Sequence, residues 1–171
     1  MKRYLNWLLV AVLSSAFIMS ACSKSDSGTN NDKEQLPIVG SWLSEGQNVA
    51  PLLLGLGIVK IEAQFNDDNT YTVVSYDTSN AMVTYEGTYT AEKSDVDNIY
   101  NITINQSKPT ALTSVGIFMV DETKDPREMT YEIVQTQPDI GATPPTPKDG
   151  FGSTNGGALG TWNVQKYVEV K

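Results

Sequence analysis

Histidine is absent from this chain, and cysteine occurs once, at Cys22. A Ser-His-Asp triad, a Cys-His pair and a zinc site built from cysteine and histidine all need residues that this composition does not supply. Without histidine, only a strongly shifted carboxylate or lysine would titrate near neutral pH. We therefore predict that the protein is not an enzyme and that it uses no cofactor and no metal ion.

Basic residues are also scarce, with 12 lysines and arginines against 20 aspartates and glutamates and a formal net charge of −8. Removal of Lys2 and Arg3 with an N-terminal segment would take that charge to −10. Proteins that bind nucleic acid need basic patches to displace phosphate counterions. The acidic balance therefore excludes nucleic acid as a partner, and it disfavours docking of the protein body on an anionic lipid surface.

The N-terminal 21 residues have the pattern of an export signal. Residues 5–21 carry no charge, follow Lys2 and Arg3, and end in Met-Ser-Ala before Cys22. This ending resembles the lipobox of bacterial lipoprotein signal peptides, which implies cleavage before Cys22 and lipidation of its thiol. A transmembrane helix is one alternative, although about 17 residues is the lower edge of a membrane span. An ordinary signal peptide is the other, and it would leave an unexplained lone thiol.

Residues 22–35 are predicted to be a flexible tether, because they are polar, low in complexity and free of aromatic side chains. The lipid on Cys22 would hold the protein to a membrane, stably if two or more acyl chains are attached. Ser23 directly after the cysteine resembles the sorting signal for the outer membrane. Lys24 and Asp26 resemble the charged export tags of Bacteroidetes surface lipoproteins. The expected location is the cell envelope, at the periplasmic or the surface face of the outer membrane.

From residue 36 to residue 171 the chain reads as one all-β domain. Alternation of apolar and polar residues, with turn residues between the runs, predicts eight strands at 38–45, 59–65, 70–76, 82–90, 99–105, 116–120, 129–134 and 160–170. No long amphipathic helix interrupts them. Short antiparallel strands in this number form a barrel or a sandwich, and a barrel is preferred because it leaves no open edge.

Three motifs in this domain resemble lipocalin-like lipoproteins of Bacteroidetes. They are the Gly-x-Trp that ends at Trp42, the hairpin from Phe65 to Thr72, and the Gly-x-Tyr that ends at Tyr89. The resemblance implies a lipocalin-like barrel with a small, partly apolar ligand in its lumen. The lumen residues expected to contact that ligand are Trp42, Phe65, Tyr85, Tyr89 and Tyr131. The alternative is a structural or protein-interaction lipoprotein of the cell envelope, with a barrel filled by its own side chains.

The uncharged segment Val49–Val59 is the most unusual stretch of the domain. Pro51 suits the first turn of a short helix, and Gly55 and Gly57 would end it. We expect an apolar lid over the cavity, with Leu53 contacting the ligand, or a plug that completes the core. Contact with a partner protein or a membrane is the third interpretation, because an exposed apolar patch of this size needs an explanation.

Two features near the C-terminus are ambiguous. Residues 136–158 are rich in proline and glycine and are predicted to be a mobile surface loop. Lys166 shares a face with Trp162, Val164, Val168 and Val170 if the last strand is regular. On that face it would meet a ligand carboxylate inside the barrel, unless it turns outward at the barrel end. Trp162, in a second Gly-x-Trp, is expected to be buried where the barrel closes.

Overall fold

Within residues 35–171, the part of the chain that the computed structural model describes, eight antiparallel strands form a closed barrel. Each strand pairs with its neighbour in sequence, and the last strand returns to pair with the first. The all-β fold predicted from the alternation is confirmed. Cys22, the predicted signal peptide and all of the predicted tether except its last residue lie outside the described residues.

The strands are β1 Gly40–Glu45, β2 Ile58–Phe65, β3 Thr70–Asp77, β4 Met82–Lys93, β5 Ile99–Lys108, β6 Leu112–Asp121, β7 Glu128–Gln137 and β8 Gln165–Val170. One short helix, α1, spans Pro51–Gly55, and 3-10 turns span Gly46–Asn48, Thr154–Gly157 and Gly160–Asn163. Most strands are longer than the sequence indicated, because polar residues extend the ladder beyond the apolar runs. β8 is shorter, since its first predicted residues form a 3-10 turn.

The connections differ at the two ends of the barrel. Residues 66–69, 94–98 and 122–127 make short turns at one end, which we call the floor end. Residues 46–57, 78–81, 109–111 and 138–164 make the connections at the other end, which we call the mouth. The two longest connections therefore both lie at the mouth.

The floor half of the barrel is filled by large side chains. Trp42, Tyr89, Phe118 and Met129 are each at most 1% exposed. The Tyr89 hydroxyl donates a hydrogen bond to the Asn66 carbonyl at 2.7 Å, which ties β4 to the turn after β2. This half of the lumen is therefore an ordinary close-packed core.

Arg127, at the floor end just before β7, fastens the first and last strands together. Its guanidinium makes a bidentate pair with Glu169, at 3.0 and 2.6 Å. The same group donates to the carbonyl oxygens of Pro37 and Val39 at 3.0 and 3.3 Å, and it lies 5.3 Å from the Trp42 ring centroid. Hydrogen bonds from Arg127 lower the pKa of the Glu169 carboxyl. The Gly-x-Trp of β1 is thus buried where the barrel closes, as predicted.

Two glycines permit close approach of neighbouring strands. A Cβ on Gly116 of β6 would lie 2.0 Å from the Glu132 carbonyl oxygen of β7. A Cβ on Gly87 of β4 would lie 2.1 Å from the Asn105 carbonyl oxygen of β5, next to a register shift in that pair. Only glycine fits at both places without movement of the neighbouring backbone.

The predicted orientation of the last strand was wrong. Tyr167 pairs with Met129 and Gln165 pairs with Tyr131, so Tyr167 and Gln165 point into the barrel. Lys166 is exposed on the outer surface. A shift of one residue exchanges the two faces of a strand, and the register with β7 sets the phase here. Trp162 was also expected to be buried, but it lies in the 3-10 turn before β8 and is 62% exposed.

The connection between β7 and β8, residues 138–164, includes most of the segment 136–158 that was predicted to be a mobile surface loop, and hydrogen bonds join it to the barrel wall. Glu132 points outward from β7, yet it is 0% exposed. Its carboxylate accepts hydrogen bonds from Gly152 N at 2.6 Å, Thr154 N at 3.2 Å and Thr154 Oγ1 at 2.5 Å. Ile117, the neighbour of Glu132 on β6, is likewise 0% exposed. One carboxylate thus fixes the loop at its centre.

Candidate functional site

The mouth half of the barrel encloses a cavity of about 280 Å³. Its aliphatic wall comes from inward residues of five strands: Ile58, Ile61, Val73, Ile104, Leu112 and Ile133. These positions point inward because side chains alternate across each strand, and the apolar phase of the alternation faces the lumen. The cavity therefore has the shape and the apolar wall of a small-molecule site.

Aromatic side chains form the floor of the cavity. Phe65 lies 6.1 Å from Tyr71 and 6.4 Å from Tyr131, measured between ring centroids. Tyr131 meets Tyr167 edge to face at 6.1 Å. The floor also rests on Tyr89, whose ring meets Phe65 edge to face at 5.2 Å. These rings separate the cavity from the packed half below.

The tyrosines of this floor are held in their neutral form. Burial raises the pKa of Tyr71 to about 12, and burial also raises the pKa of Tyr167. The pKa of Tyr131 is raised well above its ordinary value by burial first, and then by the nearby Tyr167 and Tyr71. All three phenols are therefore protonated at neutral pH and able to donate a hydrogen bond.

Polar but uncharged side chains complete the lining. They are Ser75, Tyr85, Gln106, Ser114, Asn163 and Gln165. Among the eighteen residues that line the cavity, all of them in the described part of the chain, none is an aspartate, glutamate, lysine or arginine. The acidic character of the protein is therefore confined to surfaces other than this wall.

The roof of the cavity is the segment Val49–Val59, and it combines features of the predicted plug and the predicted lid. Val49 and Ala50 are 1% exposed and complete the core. Ala50 N donates to Gln165 Oε1 at 2.8 Å, while the amide nitrogen of Gln165 bonds the Ser44 hydroxyl. The helix α1 begins at Pro51, as predicted from the sequence. Within it only Leu53 lines the cavity.

The outer side of this roof is apolar. Leu52, Leu54 and Leu56 are 36%, 40% and 73% exposed. The roof is thus anchored at its start through Gln165. Along α1, one side faces the cavity and the other side exposes apolar side chains to solvent.

The turn before β8 supports the mouth from the side. Asn163 Nδ2 donates to the Ile133 carbonyl at 2.9 Å and lies 3.4 Å from Thr154 Oγ1. Thr154 is in turn held by Glu132. The Glu132 carboxylate and the lining residue Asn163 are therefore linked through Thr154 in one hydrogen-bond network.

Four of the seven residues expected to contact a ligand line the cavity: Leu53, Phe65, Tyr85 and Tyr131. Trp42 and Tyr89 are buried in the packed half instead. Lys166 lies outside the barrel and does not face the lumen.

Sequence reasoning did not select Tyr71, Ser75 and Tyr167 as lining residues. Tyr71 and Ser75 share one face of β3, so alternation within that strand was the signal that could have found them. Tyr167 was not selected because the prediction assigned the wrong face of β8 to the lumen.

Within residues 35–171, no three acidic, cysteine or histidine side chains are grouped so that they could hold a metal ion. The described helices include none that is long and apolar enough to cross a membrane. No family model, no curated protein and no solved structure matches this chain.

Proposed function

We propose that this protein is a membrane-anchored, lipocalin-like lipoprotein that binds a small, partly apolar ligand inside its barrel. The observation that carries the proposal is the cavity of about 280 Å³ between the aromatic floor and α1. Ligand pockets usually span ~300–1,000 Å³, so this cavity lies just below that range and suits a small ligand. An aliphatic wall with a few polar groups is the lining expected of such a site.

The anchor in this proposal is Cys22, with its thiol lipidated after removal of residues 1–21. The sequence pattern before Cys22 supports this part, and Ser23 directly after it supports the location in the outer membrane. A Cys22→Ala variant should take up no lipid label and should leave the membrane fraction. A variant that stays membrane-bound and uncut would identify the N-terminal run as a transmembrane helix.

Native mass spectrometry of the full-length protein, purified from its own cell envelope, tests ligand binding. We expect a reproducible additional mass on the wild-type protein. Leu53→Asp places a carboxylate against the apolar cavity and should remove that mass. Leu56→Asp is the matched control, because Leu56 is 73% exposed on the same segment, and it should keep the mass. Equal retention by both variants would mean that the bound molecule is elsewhere.

The alternative is a structural or partner-binding envelope lipoprotein with no ligand. The packed half of the barrel favours it, since Trp42, Tyr89, Phe118 and Met129 already fill that half of the lumen. A wild-type protein that never carries an additional mass would support this second function. Exposed leucines on α1 would then be the first surface to examine for a partner protein.

A further inference from the structure

We propose that the cavity takes an uncharged amphiphile of on the order of ten non-hydrogen atoms, and that its hydrogen-bonding groups meet the hydroxyls of Tyr71 and Ser75. The size follows from the volume of about 280 Å³, because a water molecule, with one such atom, takes about 30 Å³ of the liquid. This inference rests on the proposed function, since it names the chemical class of the ligand at the same site.

The composition of the cavity wall indicates that the ligand is uncharged. All eighteen lining residues lie within the described chain, and none of them carries an ionisable carboxylate, ammonium or guanidinium group. Burial of an ion without a countercharge is very unfavourable. Charged residues next to lining residues in sequence point outward, as Lys166 does from β8 and Glu132 from β7. An ionised fatty acid or amine would therefore lose its hydration and gain no partner.

The polar part of the ligand is indicated by two hydroxyl groups. Tyr71 Oη and Ser75 Oγ are buried and have no hydrogen-bond partner within residues 35–171. Both residues are 4% exposed, and both line the cavity. Buried polar groups in native proteins are nearly always paired, so each unpaired group calls for a partner from outside the chain.

The two residues lie at different depths of the barrel. Tyr71 and Ser75 lie on the inward face of β3, four residues apart, which separates their Cα atoms by about 13 Å. Tyr71 pairs with Phe65 at the aromatic floor, whereas Ser75 pairs with Ile61 nearer the mouth. The phenol of Tyr71 is protonated at neutral pH, since its pKa is ordinarily near 10 and burial raises it to about 12. A carbonyl, ether or hydroxyl oxygen at either depth would accept a hydrogen bond there.

Binding of four probes to the full-length protein in a fixed amount of nonionic detergent tests the inference. The probes are 1-octanol, octanoate, octylammonium and toluene at pH 7, with free concentrations measured by equilibrium dialysis. We expect 1-octanol to bind at least tenfold more tightly than either ion. In the double variant Tyr71→Phe/Ser75→Ala, 1-octanol should bind about fivefold more weakly, since its single hydroxyl loses a neutral hydrogen bond at whichever depth it lies. Toluene should bind equally to both proteins.

Tyr89→Phe is the control for loss of a tyrosine hydroxyl. The Tyr89 hydroxyl bonds the Asn66 carbonyl at 2.7 Å, outside the cavity, so its removal should lower the unfolding temperature and leave 1-octanol binding unchanged. Tyr71→Phe should leave the unfolding temperature unchanged, because its hydroxyl has no protein partner to lose, and it should weaken 1-octanol binding.

Two results would overturn the inference while the proposed function stands. One is binding of octanoate or octylammonium as tightly as 1-octanol. The other is unchanged 1-octanol binding in the double variant while toluene still binds. If neither 1-octanol nor toluene binds to the wild-type protein, the cavity takes no such ligand, and both the inference and the proposed function fail.

Discussion

Removal of the Glu132 carboxylate should release the connection between β7 and β8 from the barrel wall. In Glu132→Ala, Gly152 N and both donors of Thr154 lose their acceptor. We expect the variant to keep its barrel, because the strands themselves do not depend on this side chain, but to lose order in residues 138–164.

The magnitude follows from two opposing contributions. Hydrogen bonds to a charged acceptor contribute about 1.5–3 kcal/mol each, and three of them end on Glu132. Burial of a carboxylate is costly in itself, and none of the ion pairs among the described residues includes Glu132. The freed amides can also reach water once the loop opens. We therefore expect the free energy of unfolding to fall by ~2–4 kcal/mol, well below the sum of the bonds.

Urea unfolding and amide hydrogen exchange measure the two parts of this prediction. Glu128→Ala is the matched control, because Glu128 is an exposed glutamate on the same strand, and it should change stability by less than ~0.5 kcal/mol. In Glu132→Ala the amides of residues 138–164 should exchange faster, while those of β4 and β5 should change only with global stability. A loss below ~1 kcal/mol with unchanged loop protection would refute the assignment of Glu132 as the fastening group.

Three further outcomes are expected. Trp42→Ala should lower the free energy of unfolding by ~3–5 kcal/mol in a denaturant titration, whereas Trp162→Ala, at a 62% exposed site, should change it by less than ~0.5 kcal/mol; equal losses would contradict the placement of the two rings. Gly116→Ala should cost ~1–3 kcal/mol through overlap with β7, while Gly55→Ala, with no atom within 4 Å of the added Cβ, should be neutral or stabilising; a neutral Gly116→Ala would show that β7 moves freely. Because the pKa of Tyr71 is raised to about 12 in the fold, its contribution is complete below pH ~10 and is lost as pH rises towards 12, by roughly 3 kcal/mol; a folded protein whose tyrosines all ionise near pH 10 by absorbance would contradict this.

The barrel was predictable because its information is local. Alternation in β2 and β5 and the turn residues between strands mark each element, and closure follows from the number of strands and the absence of helices. Trp42 could be placed in the core because a large aromatic side chain on the inward face of a barrel strand is buried in the lumen. These inferences need only the residues of one strand and its flanking turns.

The features that the sequence did not predict correctly depend on contacts between residues distant in sequence. The alternation in β8 gives two possible phases, and only its register with β7 decides that Tyr167 points inward and Lys166 outward. Glu132 reads as a solvent-facing residue of β7, since nothing in that strand reveals that Thr154 will cover it. The cavity itself is a volume left between seven strands and α1, so no single segment encodes it.

Closure of the barrel joins its first and last strands, and this has a consequence for how the chain folds. β1 and β8 meet through Ser41–Val170, Trp42–Glu169 and Leu43–Val168, pairs that span almost the whole domain in sequence. Topologies dominated by such distant contacts fold in milliseconds to seconds. Until the two strands meet, each presents an unpaired edge that another chain can extend. Refolding is thus a competition between a slow unimolecular closure and a bimolecular association whose rate grows with protein concentration, and the yield of closed barrel is greatest in dilute solution.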